Sequence, residues 1–234
     1  MSILISEFLG YVLHRLMHIG KIGFLSRNHM RHHLLLYGPL QPQRSGSQYQ
    51  DATTGKFAIG NVGLEWLLPS AALLGTGVLL LRWLRVEPGH QAIFVAVTLA
   101  WSFLMFSYLH DRMHITGFWM ERNRWLKSWF QSARRAHDIH HWALNHRGLM
   151  DKNFGIGFFF FDRCFGTFTM TRPVFSHRGY EAAKQRFGNL RSHGRHDRED
   201  REPAVKSPDQ PEAVVPDFVL KTQESATGVS VVPA

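Results

Sequence analysis

The sequence predicts an all-α fold, an integral membrane helical bundle with a cytosolic helical cap. Three observations predict it. Two apolar runs, 64–84 and 91–109, are each about as long as a bilayer crossing requires. Four short histidine clusters stand at the ends of apolar elements. Basic residues crowd the segments around those clusters, as they do on the cytoplasmic flanks of membrane proteins.

Composition narrows the classes. The 234 residues suit one domain plus appendages. The net charge is +9, yet charged residues are only 19% of the chain and aromatics reach 13%. A nucleic-acid binder carries more basic residues on a readable motif and stays soluble after lysis, so no nucleic-acid partner is expected. The mean hydropathy of −0.18 reads as soluble only because a polar tail dilutes an apolar body. Cys164 is the one cysteine, which excludes an intrachain disulfide and a cysteine zinc site. It fits a reducing compartment. No cleavable signal peptide is apparent.

Taken in order, residues 3–18, "ILISEFLGYVLHRLMH", read as an apolar helix too short to cross a bilayer with its histidines included. It is either the end of a helix that begins upstream, as from a truncated gene or misplaced start, or an interfacial helix. Residues 34–60 lack periodicity and read as loop. The run 64–84 tolerates Pro69 as membrane helices do, and a short turn, "RVEPGH", joins it to the run 91–109. The pair forms a helical hairpin. Its return brings the clusters before 63 and after 110 to the same membrane side. Arg31, Arg112, Arg122, Arg134 and Arg147 mark that side as cytoplasmic, weakly opposed by Arg82 and Arg85. Residues 115–150 read as helical, with Trp119, Trp125 and Trp129 at the interface. Residues 153–168 are aromatic but too short to span. The chain thus divides into a membrane domain, 1–180, and a disordered polar tail, 189–234.

The histidine clusters carry the chemistry. "HRLMH" supplies His14 and His18, and "HDRMH" supplies His110 and His114. Each pair stands one turn apart on a helix face. "HMRHH" supplies His29, His32 and His33, and "HDIHH" supplies His137, His140 and His141. Imidazole is the commonest metal ligand. Ten clustered rings exceed the needs of one ion and match two, with four or five nitrogens each, so the cap is expected to carry a histidine-ligated dimetal site. His146 is either an eleventh ligand or a donor behind the ligands. Asp111 and Asp138 lie inside clusters and read either as partners that orient imidazoles or as solvated charges. His90, His177, His193 and His196 read as ordinary surface or core residues.

These four clusters, with "NFG" followed by "FDRCFGT", resemble the histidine boxes and closing segment of the fatty acid hydroxylase/sterol desaturase superfamily. The resemblance runs from about Ser6 to Thr167. It implies an integral membrane enzyme with a histidine-ligated di-iron centre, active through O2 on a lipid C–H bond. It implies that Asn153 hydrogen-bonds near the site. Two iron ions are the expected cofactors; zinc also suits imidazole. Arg163 beside Asp162 reads as a structural or headgroup contact.

No G-x-G-x-x-G motif, haem signature or cysteine set is present, so an external electron donor is expected: a reductase, ferredoxin or cytochrome. The expected location is a bacterial inner membrane or the endoplasmic reticulum, with the active site on the cytoplasmic face. A carotenoid or sterol oxidase fits the same pattern. A non-catalytic metal-binding membrane protein is the reading from another class. Transport is disfavoured, because the apolar cores of the two runs hold no Asp, Lys or Arg and Glu65 lies at an edge.

Overall fold

The computed structural model describes residues 2–51, 58–59 and 62–187, which lie in one compact unit, Met1–His193. The expected tail, 189–234, falls outside the described residues. The regular elements of the described residues are helical apart from a two-residue antiparallel pair, β1 (Ala58–Ile59) and β2 (Val62–Gly63), and the isolated bridges Arg44–Ile115 and Leu144–Met150; loops and turns join them.

Helix α1 (Ser2–His18) fills the segment expected to be helical. It packs against α4 (Pro88–Ser102) and the helical turns that follow. Gly10 allows that approach, since an added Cβ there would lie 1.8 Å from Phe106 Cζ. Glu7 strengthens it by accepting a 2.7 Å bond from the Trp101 indole. Helix α2 (Gly23–Arg31) runs on into a π-helical turn, His32–Leu36. Helix α3 (Leu64–Trp83) contains Pro69. A second π-helical stretch, Phe103–Leu109, joins α4 to α5 (His110–Met113). Both π segments abut histidine clusters, where the extra residue per turn resets which face the rings occupy.

Two apolar crossings were expected. Among the described residues, one helix, Pro88–Met113, is long and apolar enough to cross a membrane; the apolar stretch of α3, Leu67–Trp83, is shorter. Leu68, Leu79, Ile93, Leu99 and Phe103 are all more than half exposed. An apolar surface of this extent fits a lipid-facing side.

The helix expected over 115–150 is shorter than that. Only Lys127–Trp142 is α-helical, as α6, preceded by a 3-10 turn at Trp119–Glu121. Asn123 ends the upstream loop by accepting from the amides of Trp125 and Leu126. Asn145 turns the chain after α6 by accepting from Arg147 and Leu149. These side chains compete with the helical ladder at both ends. Beyond α7 (Phe160–Cys164) lies α8 (His177–Phe187), an amphipathic helix that extends the packed body past 180. It buries Ala183 and Phe187 against Met30, Leu144 and Met150.

Candidate metal centre

Among the described residues, nine histidines form two groups, in each of which one ring nitrogen per residue lies within 4.8 Å of the others. Group one is His14, His18, His29, His33 and His140; group two is His32, His114, His137 and His141. His110 stands beside group two, its ring centroid 4.9 Å from His32 and 4.8 Å from His137. The groups adjoin where the His33 and His141 rings come to 3.9 Å.

Each H-x-x-H-H cluster is divided between the groups. His29 and His33 go to group one while His32 goes to group two; His137 and His141 go to group two while His140 goes to group one. Successive helical residues turn by about 100°. Positions i and i+4 therefore share a face, and i+3 points aside into the neighbouring group.

Outer hydrogen bonds fix four of the rings. The His14 Nδ1–H donates to the carbonyl of Phe154, and that of His140 to Lys152 at 2.6 Å. The His114 Nδ1–H donates to Pro42 at 2.7 Å, and that of His141 to Tyr37 at 2.8 Å. With the proton on Nδ1, each Nε2 presents a lone pair to its group. In group two, the His137 Nε2 lies 3.1 Å from His114 Nε2 and 3.2 Å from His141 Nε2. One nitrogen has one proton to give, so one of these lone pairs faces another unmet. The Nε2 atoms of His14, His32 and His110 are buried and find no hydrogen-bond partner. A cation in each group satisfies these nitrogens together, so the residues fit metal ions.

The protonation state agrees. Burial lowers the pKa of His14 and of His114 to about 4, even though their carbonyl contacts pull upward. Burial first, and then repulsion between neighbouring rings, lowers His18, His29, His33, His137 and His141 well below the usual range. Neutral imidazole is the form that binds a metal.

Different segments hold the two outer layers. Around group one, Asn153 adopts a left-handed φ of 55° between Lys152 and Phe154. Its side chain donates to the carbonyls of Ala136 and Thr169 and accepts from the Thr169 amide. None of these hydrogen bonds is to an imidazole. The fully buried Asp162 accepts from the amides of Phe154 and Gly155 and from the Thr167 hydroxyl, each at 2.7 Å. A Cβ at Gly155 would lie 2.9 Å from its Oδ2. Asp162 thus fixes the turn whose carbonyl receives His14. Arg163, read from the sequence as a structural or headgroup contact, lies 4.0 Å over the Phe168 ring.

Around group two, the Arg44 amide bonds the His114 carbonyl and the Arg44 carbonyl accepts from Thr116, which lays Pro42 alongside His114. Asp138 accepts a 2.6 Å bond from Gln43, in the loop that bears Pro42. Burial raises its pKa to about 6. Asp111 lies 4.0 Å from His110 Nδ1 and has Tyr49 as a hydrogen-bonding neighbour. Arg134, which was expected on the cytoplasmic surface, is buried and donates to Glu121 at 2.7 Å and to the carbonyls of Ile115 and Arg112. It ties α6 to the end of α5 and so brings His137 to His114. His146 is exposed and belongs to neither group.

The sequence reading missed Asp162 as a positioning residue. The available signal was an acidic residue within an aromatic run, where a carboxylate needs donors to be buried. It also had no means of finding the carbonyls of Tyr37 and Pro42.

A family model described as fatty acid hydroxylase matches residues 1–167. No curated protein and no solved structure matches the chain.

Proposed function

The chain belongs to the fatty acid hydroxylase family, and from that premise we propose that it is a membrane-bound di-iron oxygenase that hydroxylates, or desaturates, a lipid C–H bond. The family makes it an oxidoreductase of hydroxylase type and, with one long apolar helix, a membrane protein. The observation that carries the finer reading is the pair of adjoining imidazole groups, of five and four nitrogens. Two iron ions held there would supply O2 activation and hydrogen-atom removal, chemistry beyond any side chain.

The rest is the work of the chain. Backbone carbonyls of Tyr37, Pro42, Lys152 and Phe154 keep four rings in one tautomer. Complete burial of His33, His114, His137, His140 and His141 excludes water from the reacting volume. The apolar faces of α3 and α4 seat the body in lipid, within reach of a lipid substrate. Electrons come from a separate reductase, ferredoxin or cytochrome, since the sequence has no motif for a redox cofactor of its own. Basic loops set the site toward the cytoplasm of a bacterial cell or of the endoplasmic reticulum.

Metal analysis together with product identification tests the proposal. Protein purified from membranes is expected to hold two irons per chain and to consume O2 when reduced in the presence of lipid. Lipid extracts from cells with and without the gene identify the product. Two bound metals with no O2 uptake would instead make it a metal-holding membrane protein.

A further inference from the structure

The loop between α5 and α6 turns indoles and cations outward together. Trp119 and Trp125 are 50% and 75% exposed, and Arg122, Arg124 and Lys127 beside them are exposed as well. Trp is highly buried on average, so two open indoles in one loop call for a partner. None of the three cations has an ion-pair partner among the described residues. The one carboxylate of the loop, Glu121, is taken by the buried Arg134.

Hydrogen bonds fix the shape of this loop. Glu121 also accepts from the Phe118 amide at 2.9 Å, and Asn123 accepts from the amides of Trp125 and Leu126. Arg122 donates to the Gly117 carbonyl at 3.4 Å. The Arg124 guanidinium lies 4.3 Å over the Trp125 ring, a cation–π contact that keeps charge and indole together.

The depth of the loop follows from what it packs against. Phe118 and Met120 rest on the cluster that holds Met105, Leu109 and Met113, the last turns of the long apolar helix. The Phe118 ring stands 6.1 Å from Tyr108, inside that helix. The helix has 26 residues. It therefore rises about 39 Å, against an apolar core about 30 Å thick, and its final turns stand among headgroups. The loop doubles back beside those turns instead of standing away from the bilayer.

We propose that this loop docks on anionic phospholipid headgroups of the membrane that holds the protein. Arg122, Arg124 and Lys127 bind the lipid phosphates, as basic residues at an anionic leaflet do. Trp119 and Trp125 sit between headgroups and chains, the layer that indoles favour. An acidic soluble protein answers the charge but leaves two indoles at headgroup depth without a role. The inference goes beyond the oxygenase reading and needs only that the apolar helix crosses the bilayer.

Brominated lipids test it, since bromine quenches a neighbouring indole. The full-length, metal-loaded protein is placed in phosphatidylcholine vesicles with brominated phosphatidylglycerol or brominated phosphatidylcholine. The fluorescence of the two indoles is the difference between the parent and Trp119→Phe with Trp125→Phe. Phosphatidylglycerol is expected to quench it with an apparent affinity at least about fivefold higher, the worth of one basic residue at such a surface. Acrylamide in the water is expected to reach neither indole. In Arg122→Gln, Arg124→Gln, Lys127→Gln the two lipids are expected to quench alike, with the parent's metal content. Arg147→Gln with Arg186→Gln, exposed cations outside the loop, is expected to keep the parent's preference. Equal quenching by the two lipids in the parent overturns the proposal, and so does a preference that survives loss of the three cations. Indoles quenched by acrylamide but not by lipid also overturn it, because the loop then faces water and its cations serve an acidic protein. These readouts need neither lipid oxidation nor O2 uptake, so failure of the oxygenase reading registers separately.

Discussion

Group one takes its outer hydrogen bonds from residues 152–167, and group two takes them from residues 37–44. Each group takes two rings of one triple cluster and one ring of the other; group one adds both His14 and His18, whereas group two adds His114 and leaves His110 beside it. The anchors differ in kind. Group one rests on a buried carboxylate, Asp162, that gathers two amides and a hydroxyl. Group two rests on a loop pinned by backbone pairing at Arg44 and by the Asp138–Gln43 bond. Two similar cages with independent supports can be disturbed one at a time.

The strongest way to break that independence is to remove the rings where the groups touch. His33→Ala or His141→Ala is expected to abolish lipid oxidation and to lower the metal count in both groups, read by elemental analysis. Loss confined to one ion would mean that the cages are separate even there.

Next in size are the anchors. Asp162→Asn puts a side-chain amide N–H donor against the N–H of Phe154 or Gly155. It is expected to weaken metal binding in group one by about 10- to 100-fold, as loss of a partner behind a ligand does. Asp138→Asn is expected to affect group two instead, and less. Metal titrations followed by spectroscopy would assign each loss; identical effects from the two variants would erase the distinction.

Acid should act on the two groups equally. In each, a buried ring, His14 or His114, has its pKa lowered to about 4 from an ordinary 6.5. The unfolded chain takes up these protons below 6.5 while the folded metal-free protein refuses them down to about 4. Stability is therefore full above 6.5 and falls as the pH drops toward 4, by roughly 3 kcal/mol for each such ring. Denaturation of the metal-free protein across this window checks the sign; a rise in stability on acidification would contradict it.

Gly10→Ala should strike both groups together, because the new methyl meets the Phe106 ring and pushes α1, which bears His14 and His18, from the π-helical stretch that leads to His114. Overpacking of this kind costs about 1–3 kcal/mol. His146→Ala marks the lower limit. That exposed ring is expected to change stability by less than about 0.5 kcal/mol and leave the metal count as it was.

The sequence alone marked ten clustered histidines as candidate ligands, because i, i+3 and i+4 spacing is a local property of a helix; nine of them fall into the two groups. It also marked the apolar run 91–109, which lies within the helix Pro88–Met113, since hydropathy and length are local too. The limits of α6 were misjudged because asparagine side chains compete with the helix over only a few residues. The tertiary structure alone decided which ring joins which group, with His32 and His140 crossing between them. It also showed what Asn153 and Asp162 hold, the backbone behind group one, and left His146 outside. Those outcomes depend on contacts between segments more than a hundred residues apart, such as His14 with Phe154 and His18 with His140. Local spacing sets the direction of a side chain on its helix, whereas the partner it meets depends on how the helices pack.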